Sequence, residues 1–324
     1  MAYEECEPQL IDSFAREVKK GLIDPINYDI KNNKANMKYS KYINDIAALK
    51  AKEHTYQEFK NLNYIQTLSL TREILIILFG SKVEPIIYEY FSRLQPNSGN
   101  SILDGITLTL EDKETHQIER IVCVPSLTKS STIVSLVHEF IHFYFSILNI
   151  NFHKKRYYEE IFSIYAEKVA CHILDSYQID RDFTRKIEET RLEAITWHYK
   201  TNLPMLDEII NKYKMSKAKS KSNIMCMFQA LSLESEIPVL RQPNGVILLK
   251  QYYQNLADSY GIGYLYAESL YNIFLEDKSS ILSKTQSLIA KECNINDLLS
   301  YYGINASNQK TYDIVGNRLS KLKR

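Results

Sequence analysis

The sequence predicts a mainly α-helical fold with one small antiparallel β-hairpin or sheet, and three observations carry that prediction. Only 9 Gly and 8 Pro punctuate 324 residues. Over most of the chain, apolar residues recur at three- and four-residue spacing, the period of a helix with one buried face. Between residues 105 and 125 the spacing changes to alternation, the period of a half-buried strand.

Taken in order, candidate helices cover roughly 8–22, 38–60, 64–79 and 83–94, and the breaker run Gln95-Pro96-Asn97-Ser98-Gly99-Asn100 follows. Gly105-Ile-Thr-Leu-Thr-Leu110 alternates like a strand, and a charged turn from Glu111 to Gln117 leads to Ile118-Glu-Arg-Ile-Val-Cys-Val-Pro125. Proline cannot donate to a ladder, so Pro125 is a natural end for this second strand. Ser130, Ser131 and Thr132 offer N-caps for a strongly apolar helix reaching Leu148. Further helices follow at about 156–177, 182–200 and 203–214. Met215 to Ser222, with its alternating Lys and Ser, reads as a solvated basic loop. Helices resume near 223–233, 246–260 and 264–275, and a polar tail ends in Lys-Leu-Lys-Arg. The chain divides into a helical N-terminal part, 1–100, and a second part, 101–324, which carries the motif described next.

Composition excludes several classes of function. Forty basic and thirty-nine acidic residues give a net charge of +1, without the basic excess of a nucleic-acid binder. The apolar run Ile74–Phe79 is too short to span a bilayer, and the acidic start MAYEECEPQL is not a secretory signal. Five widely spaced cysteines without a CxxC read as reduced thiols, which points to the cytoplasm.

The chemistry concentrates in Ser135-Leu-Val-His138-Glu139-Phe-Ile-His142-Phe-Tyr144. Two histidines four apart project from one helix face, so both imidazoles reach a single ion. Glu139, beside the first histidine, is placed to act as general base on a metal-bound water. Chance supplies HExxH in on the order of one chain in a hundred at this histidine content, so the surroundings matter. Leu136, Val137, Phe140, Ile141, Phe143 and Tyr144 are all uncharged. A purely structural core helix would gain nothing from burying Glu139 between two histidines.

Catalytic zinc takes three protein ligands and leaves a fourth place for water. The third ligand is sought in Tyr157-Tyr158-Glu159-Glu160-Ile-Phe-Ser163-Ile-Tyr-Ala-Glu167, where Glu159 and Glu160 compete and helical geometry does not choose. Glutamate at a helix start also suits the macrodipole without any metal.

HExxH followed by Glu160-x-x-Ser163-x-x-x-Glu167 resembles the thimet oligopeptidase and oligoendopeptidase F family of gluzincin metallopeptidases. The resemblance implies a zincin-like catalytic domain, Zn²⁺ held by His138, His142 and Glu160, and Glu167 as a carboxylate that orients a ligand histidine. Tyr260-Gly-Ile-Gly263-Tyr264-Leu-Tyr-Ala267 resembles the family's late Tyr-x-x-Gly helix, which implies that Tyr260 or Tyr264 stabilises the oxyanion. The match covers roughly 130–275. It departs from the family at Ile141, where glycine is usual, and at Asp258 and Ser259, where histidine or tyrosine is usual. Ile164 does not meet the Glu-x-x-x-Asp pattern of thermolysin-like enzymes.

The expected function is hydrolysis of peptide bonds in oligopeptides by a zinc-activated water, with Glu139 as base. Ile118–Pro125 is expected to hold the peptide along a sheet edge. Two rivals share the sequence: a regulatory metalloprotease that cuts one protein partner, and a non-enzymatic helical binding protein with an accidental HExxH.

Overall fold

The computed structural model describes residues 59–96, 105–111, 118–124, 127–148, 156–197, 203–219, 223–241 and 243–278. The expected helix at 8–22 and nearly all of that at 38–60 lie outside the described residues.

The described chain is mostly helical. Helices α1 (Tyr64–Phe79) and α2 (Glu84–Ser92) precede strands β1 (Leu94–Pro96), β2 (Ile106–Glu111) and β3 (Ile118–Val124). Then come α3 (Ser130–Ile147), α4 (Arg156–Ser176), α5 (Phe183–Trp197), α6 (Leu203–Lys219), α7 (Ile224–Glu236) and α8 (Gly245–Glu276). Asn63 and Gln66 close a capping box at the start of α1, and Gly80 ends that helix at a φ of 80°, a conformation costly for other residues.

The sheet order is β1-β3-β2. β2 and β3 run antiparallel, Leu108 opposite Ile121, while β1 pairs parallel to β3 through Leu94–Pro96. The sheet therefore contains a parallel pair and is not purely antiparallel, because part of the run read as a breaker pairs with β3 instead. The same pairing narrows the expected peptide-holding edge. β3 is the central strand, bonded to β2 along Ile118–Cys123 and to β1 at Val122–Val124 only, so it is this last stretch that cannot pair with a peptide. β2 is the outer strand on the side of Glu139.

Three helix boundaries also differ from expectation. α6 continues to Lys219, since Met215–Lys219 contains no breaker, Ser216 is buried and Lys217 pairs with Glu234 at 2.5 Å. The helices expected at 246–260 and 264–275 are one 32-residue helix, because Gly261 and Gly263 are tolerated where the helix is packed. α3 starts at Ser130 with Lys129 in the N-cap position and no side-chain cap, so the Ser130–Thr132 group does not cap it. The Ser130 hydroxyl instead donates to Asp180 at 3.0 Å, in the α4–α5 turn.

One core contains Ile74 and Leu78 of α1, Tyr90 of α2, Val122 of β3, Phe140 of α3, Ile164 of α4 and Leu270 of α8. It spans both sides of residue 100. Tyr90 anchors the motif helix by donating its hydroxyl to the Leu136 carbonyl at 2.8 Å. Among the described residues, no helix is long and apolar enough to cross a membrane.

Candidate metal centre

Twelve of the 18 residues of α3 are buried, so the helix lies as a beam between the sheet, α1 and α4. His138 and His142 stand one turn apart on its α4 side. Their Nε2 atoms face each other at 3.1 Å. Glu160, on the first turns of α4, brings Oε2 to 3.5 Å from His138 Nε2 and Oε1 to 3.7 Å from His142 Nε2. The three donor groups lie within 4.8 Å of one another.

Each imidazole is oriented from behind. His138 Nδ1 donates to Glu167 Oε1 at 2.5 Å, and His142 Nδ1 donates to Glu159 Oε2 at 2.9 Å. With Nδ1 committed to a carboxylate, the Nε2 lone pair is the one turned inward, the arrangement seen in carboxylate–histidine–metal sites. This geometry separates the two competing carboxylates. Glu160 points into the centre and Glu159 behind His142.

The donor set fits a divalent cation. Glu160 Oε2 is buried with no hydrogen-bond partner, an arrangement that normally costs about 1–3 kcal/mol. It lies 3.5 Å from His138 Nε2, while Oε1 of the same carboxylate lies 3.7 Å from His142 Nε2. Bonds of about 2.0–2.1 Å to a tetrahedral ion place ligand atoms about 3.3 Å apart, and the observed separations of 3.1, 3.5 and 3.7 Å bracket that value. His138, His142 and Glu160 thus form a buried group able to hold a metal ion.

The electrostatics agree. Burial works to lower the His142 pKa, yet the hydrogen bond to Glu159 and the charges of Glu160 and Glu139 outweigh it and push it up to about 9. The centre thus favours positive charge. Burial also opposes ionisation of Glu167, but Arg191 and then His138 hold its carboxyl below the ordinary range.

Glu139 is 5% exposed and is tied to the sheet. The Thr107 hydroxyl lies 2.7 Å from Glu139 Oε2 and 3.1 Å from the Glu139 carbonyl. A Cβ at Gly105 would come within 2.8 Å of Glu139 Cγ and 3.0 Å of Oε1, so β2 begins close against this side chain. A larger residue there would push the Glu139 side chain out of place.

The tyrosines are placed differently from the metal residues. Tyr264 is fully buried, with the Lys168 ammonium 4.5 Å from its ring centre. Lys168 lies two turns beyond Glu160 on α4. Tyr260 is partly buried, one turn before Gly263. Gly263 gives room to α4: a Cβ there would meet Glu160 Cβ at 2.9 Å. His198 lies outside the described residues.

Sequence reading missed Glu159 as the partner of His142, along with Thr107, Gly105 and Arg191. Ser163, named only within the motif, sits 3.5 Å from His142 Nε2. Its spacing of one turn from Glu160 was a usable signal. The contacts of Thr107 and Arg191 arise from tertiary packing and leave none. No protein-family model, curated protein or solved structure matches the chain.

Proposed function

We propose that the chain is a zinc-dependent metallopeptidase that hydrolyses peptide bonds of oligopeptides, as the resemblance to the thimet oligopeptidase and oligoendopeptidase F family implies. The observation that carries this reading is Glu160 Oε2, buried and without a hydrogen bond, 3.5 Å from His138 Nε2. Two imidazoles and one carboxylate are a catalytic zinc set, whereas structural zinc sites use four protein ligands, mostly thiolates. When bound, zinc supplies Lewis-acid polarisation of water and of the scissile carbonyl.

His138, His142 and Glu160 hold the ion in this reading. Thr107 donates to Glu139 Oε2, which leaves Oε1 to take the proton of the attacking water and pass it to the leaving amine. β2, the outer strand beside Glu139, is the edge along which an extended peptide pairs. Cys171 and Cys226, which form no disulfide among the described residues, suit the reducing cytoplasm.

The test combines metal analysis with a quenched-peptide assay. Purified protein is expected to carry about one zinc per chain. Glu139→Gln is expected to keep the zinc and abolish hydrolysis. Wild-type turnover in that variant, or a chain without metal, would sink the proposal.

A further inference from the structure

We infer that Arg191 is a positioning residue for the metal ligand His138, acting through Glu167; the inference rests on the metal-centre reading above. Arg191 stands on α5, outside the motif. Its Nε donates to Glu167 Oε2 at 3.2 Å, while its Nη2 donates to Oε1. Oε1 is also the atom that accepts from His138 Nδ1 at 2.5 Å. One planar fork therefore fixes both carboxylate oxygens, and with them the direction from which the imidazole is held.

Burial makes this support irreplaceable. Glu167 is 2% exposed and His138 is 6% exposed, so no bulk water takes over when the guanidinium is removed. The other ligand is built differently. Glu159, behind His142, lies in the first turn of α4 with 22% of its side chain exposed, where solvent supports the carboxylate. The centre thus has one ligand backed by water and one backed by protein.

The helix explains why an arginine from α5 arrives at this point. Thr184, the pair Ile187 and Glu188, and Arg191 recur every three to four residues along the face of α5 turned to α4. The same seam holds a buried cation, Lys168, paired with Glu188 at 3.4 Å and with Glu268. Lys168 follows Glu167 in α4 but makes no contact with a ligand histidine. It provides the control for general loosening of the seam.

The experiment loads wild type, Arg191→Met, Arg191→Lys and Lys168→Met with Zn²⁺ and follows release of the ion into a chromogenic chelator. Visible spectra of the Co²⁺-substituted proteins and thermal unfolding of the chelated proteins accompany it. Arg191→Met is expected to release zinc about 10- to 100-fold faster, the range for loss of a ligand's supporting partner. Arg191→Lys, which keeps the charge and loses the fork, should fall between, and the cobalt spectrum should shift in both. Lys168→Met should unfold at lower temperature yet release zinc within about twofold of wild type. Should Arg191→Met fail to fold, Arg191→Lys decides alone. Release within twofold of wild type in the folded Arg191 variants overturns the inference while leaving the metal reading intact. So does acceleration by Lys168→Met equal to that of Arg191→Met. Wild type that takes up no zinc ends both.

Discussion

Gly263 backs directly onto Glu160. A Cβ built at residue 263 would lie 2.9 Å from Glu160 Cβ and 3.1 Å from the Glu160 carbonyl carbon. The rear of Glu160 is therefore formed by the backbone of α8.

That contact sets the expected outcome for Gly263→Ala. Helix propensity favours alanine by about 1 kcal/mol, but overpacking costs about 1–3 kcal/mol. The atoms that must move are backbone and Cβ, not a flexible side-chain end, so overpacking wins. A net loss of about 1–2 kcal/mol should appear in urea denaturation, together with weaker zinc binding in chelator competition. An unchanged midpoint and affinity would mean that α4 and α8 separate freely.

The two neighbouring glutamates should behave differently. Glu160→Ala removes a ligand and should abolish stable zinc occupancy. Glu159→Gln should weaken zinc binding by about 10- to 100-fold, because it removes only the partner of His142 Nδ1. Chelator competition ranks the two. A larger loss from Glu159→Gln would reverse the ligand assignment.

Removal of the ion should expose a pH dependence. The folded His142 pKa of about 9 stands above its ordinary 6.5, so the chelated folded chain holds that proton more tightly than the unfolded chain does. This stabilisation is fully present below pH 6.5 and is lost as pH rises through about 9. The urea midpoint of chelated protein should fall across that window. Zinc affinity should run the opposite way, rising by up to about tenfold per pH unit as the competing proton leaves. Two flat profiles would show that His142 does not sit among these carboxylates.

The tyrosines separate by kinetics. Tyr260→Phe should lower kcat by on the order of a hundredfold with KM nearly unchanged, as for loss of one oxyanion donor. Tyr264 is packed against Lys168, so Tyr264→Phe should alter stability by about 1 kcal/mol and leave kcat intact. Should both variants keep full kcat, the donor must be sought at Tyr252, Tyr253 or His198.

The features legible in the sequence are those written in local spacing. His138 and His142 share a face because they are four apart, and α3 is buried because its neighbours are apolar. The β2–β3 pairing follows from two alternating runs. Other features depend on where distant segments meet. Nothing local announces that Leu94–Pro96 lies parallel to Val122–Val124, or that Thr107 meets Glu139. Glu159 and Glu160 are chemically equal as sequence, and the rotation of α4 against α3 decides between them. Arg191 was illegible because its partner Glu167 lies across a helix interface.

The contact between Gly263 and Glu160 also has a consequence in time. His138, His142 and Glu160 leave the ribosome within a short stretch of chain, whereas the wall behind Glu160 is made about a hundred residues later. At about 5–20 residues per second, the delay is roughly 5–20 s. During that interval the nascent chain displays all three donors on a helix pair whose third side is open. If the chain is the metallopeptidase proposed above, it can take up the ion before α8 exists, and α8 then closes over an occupied centre.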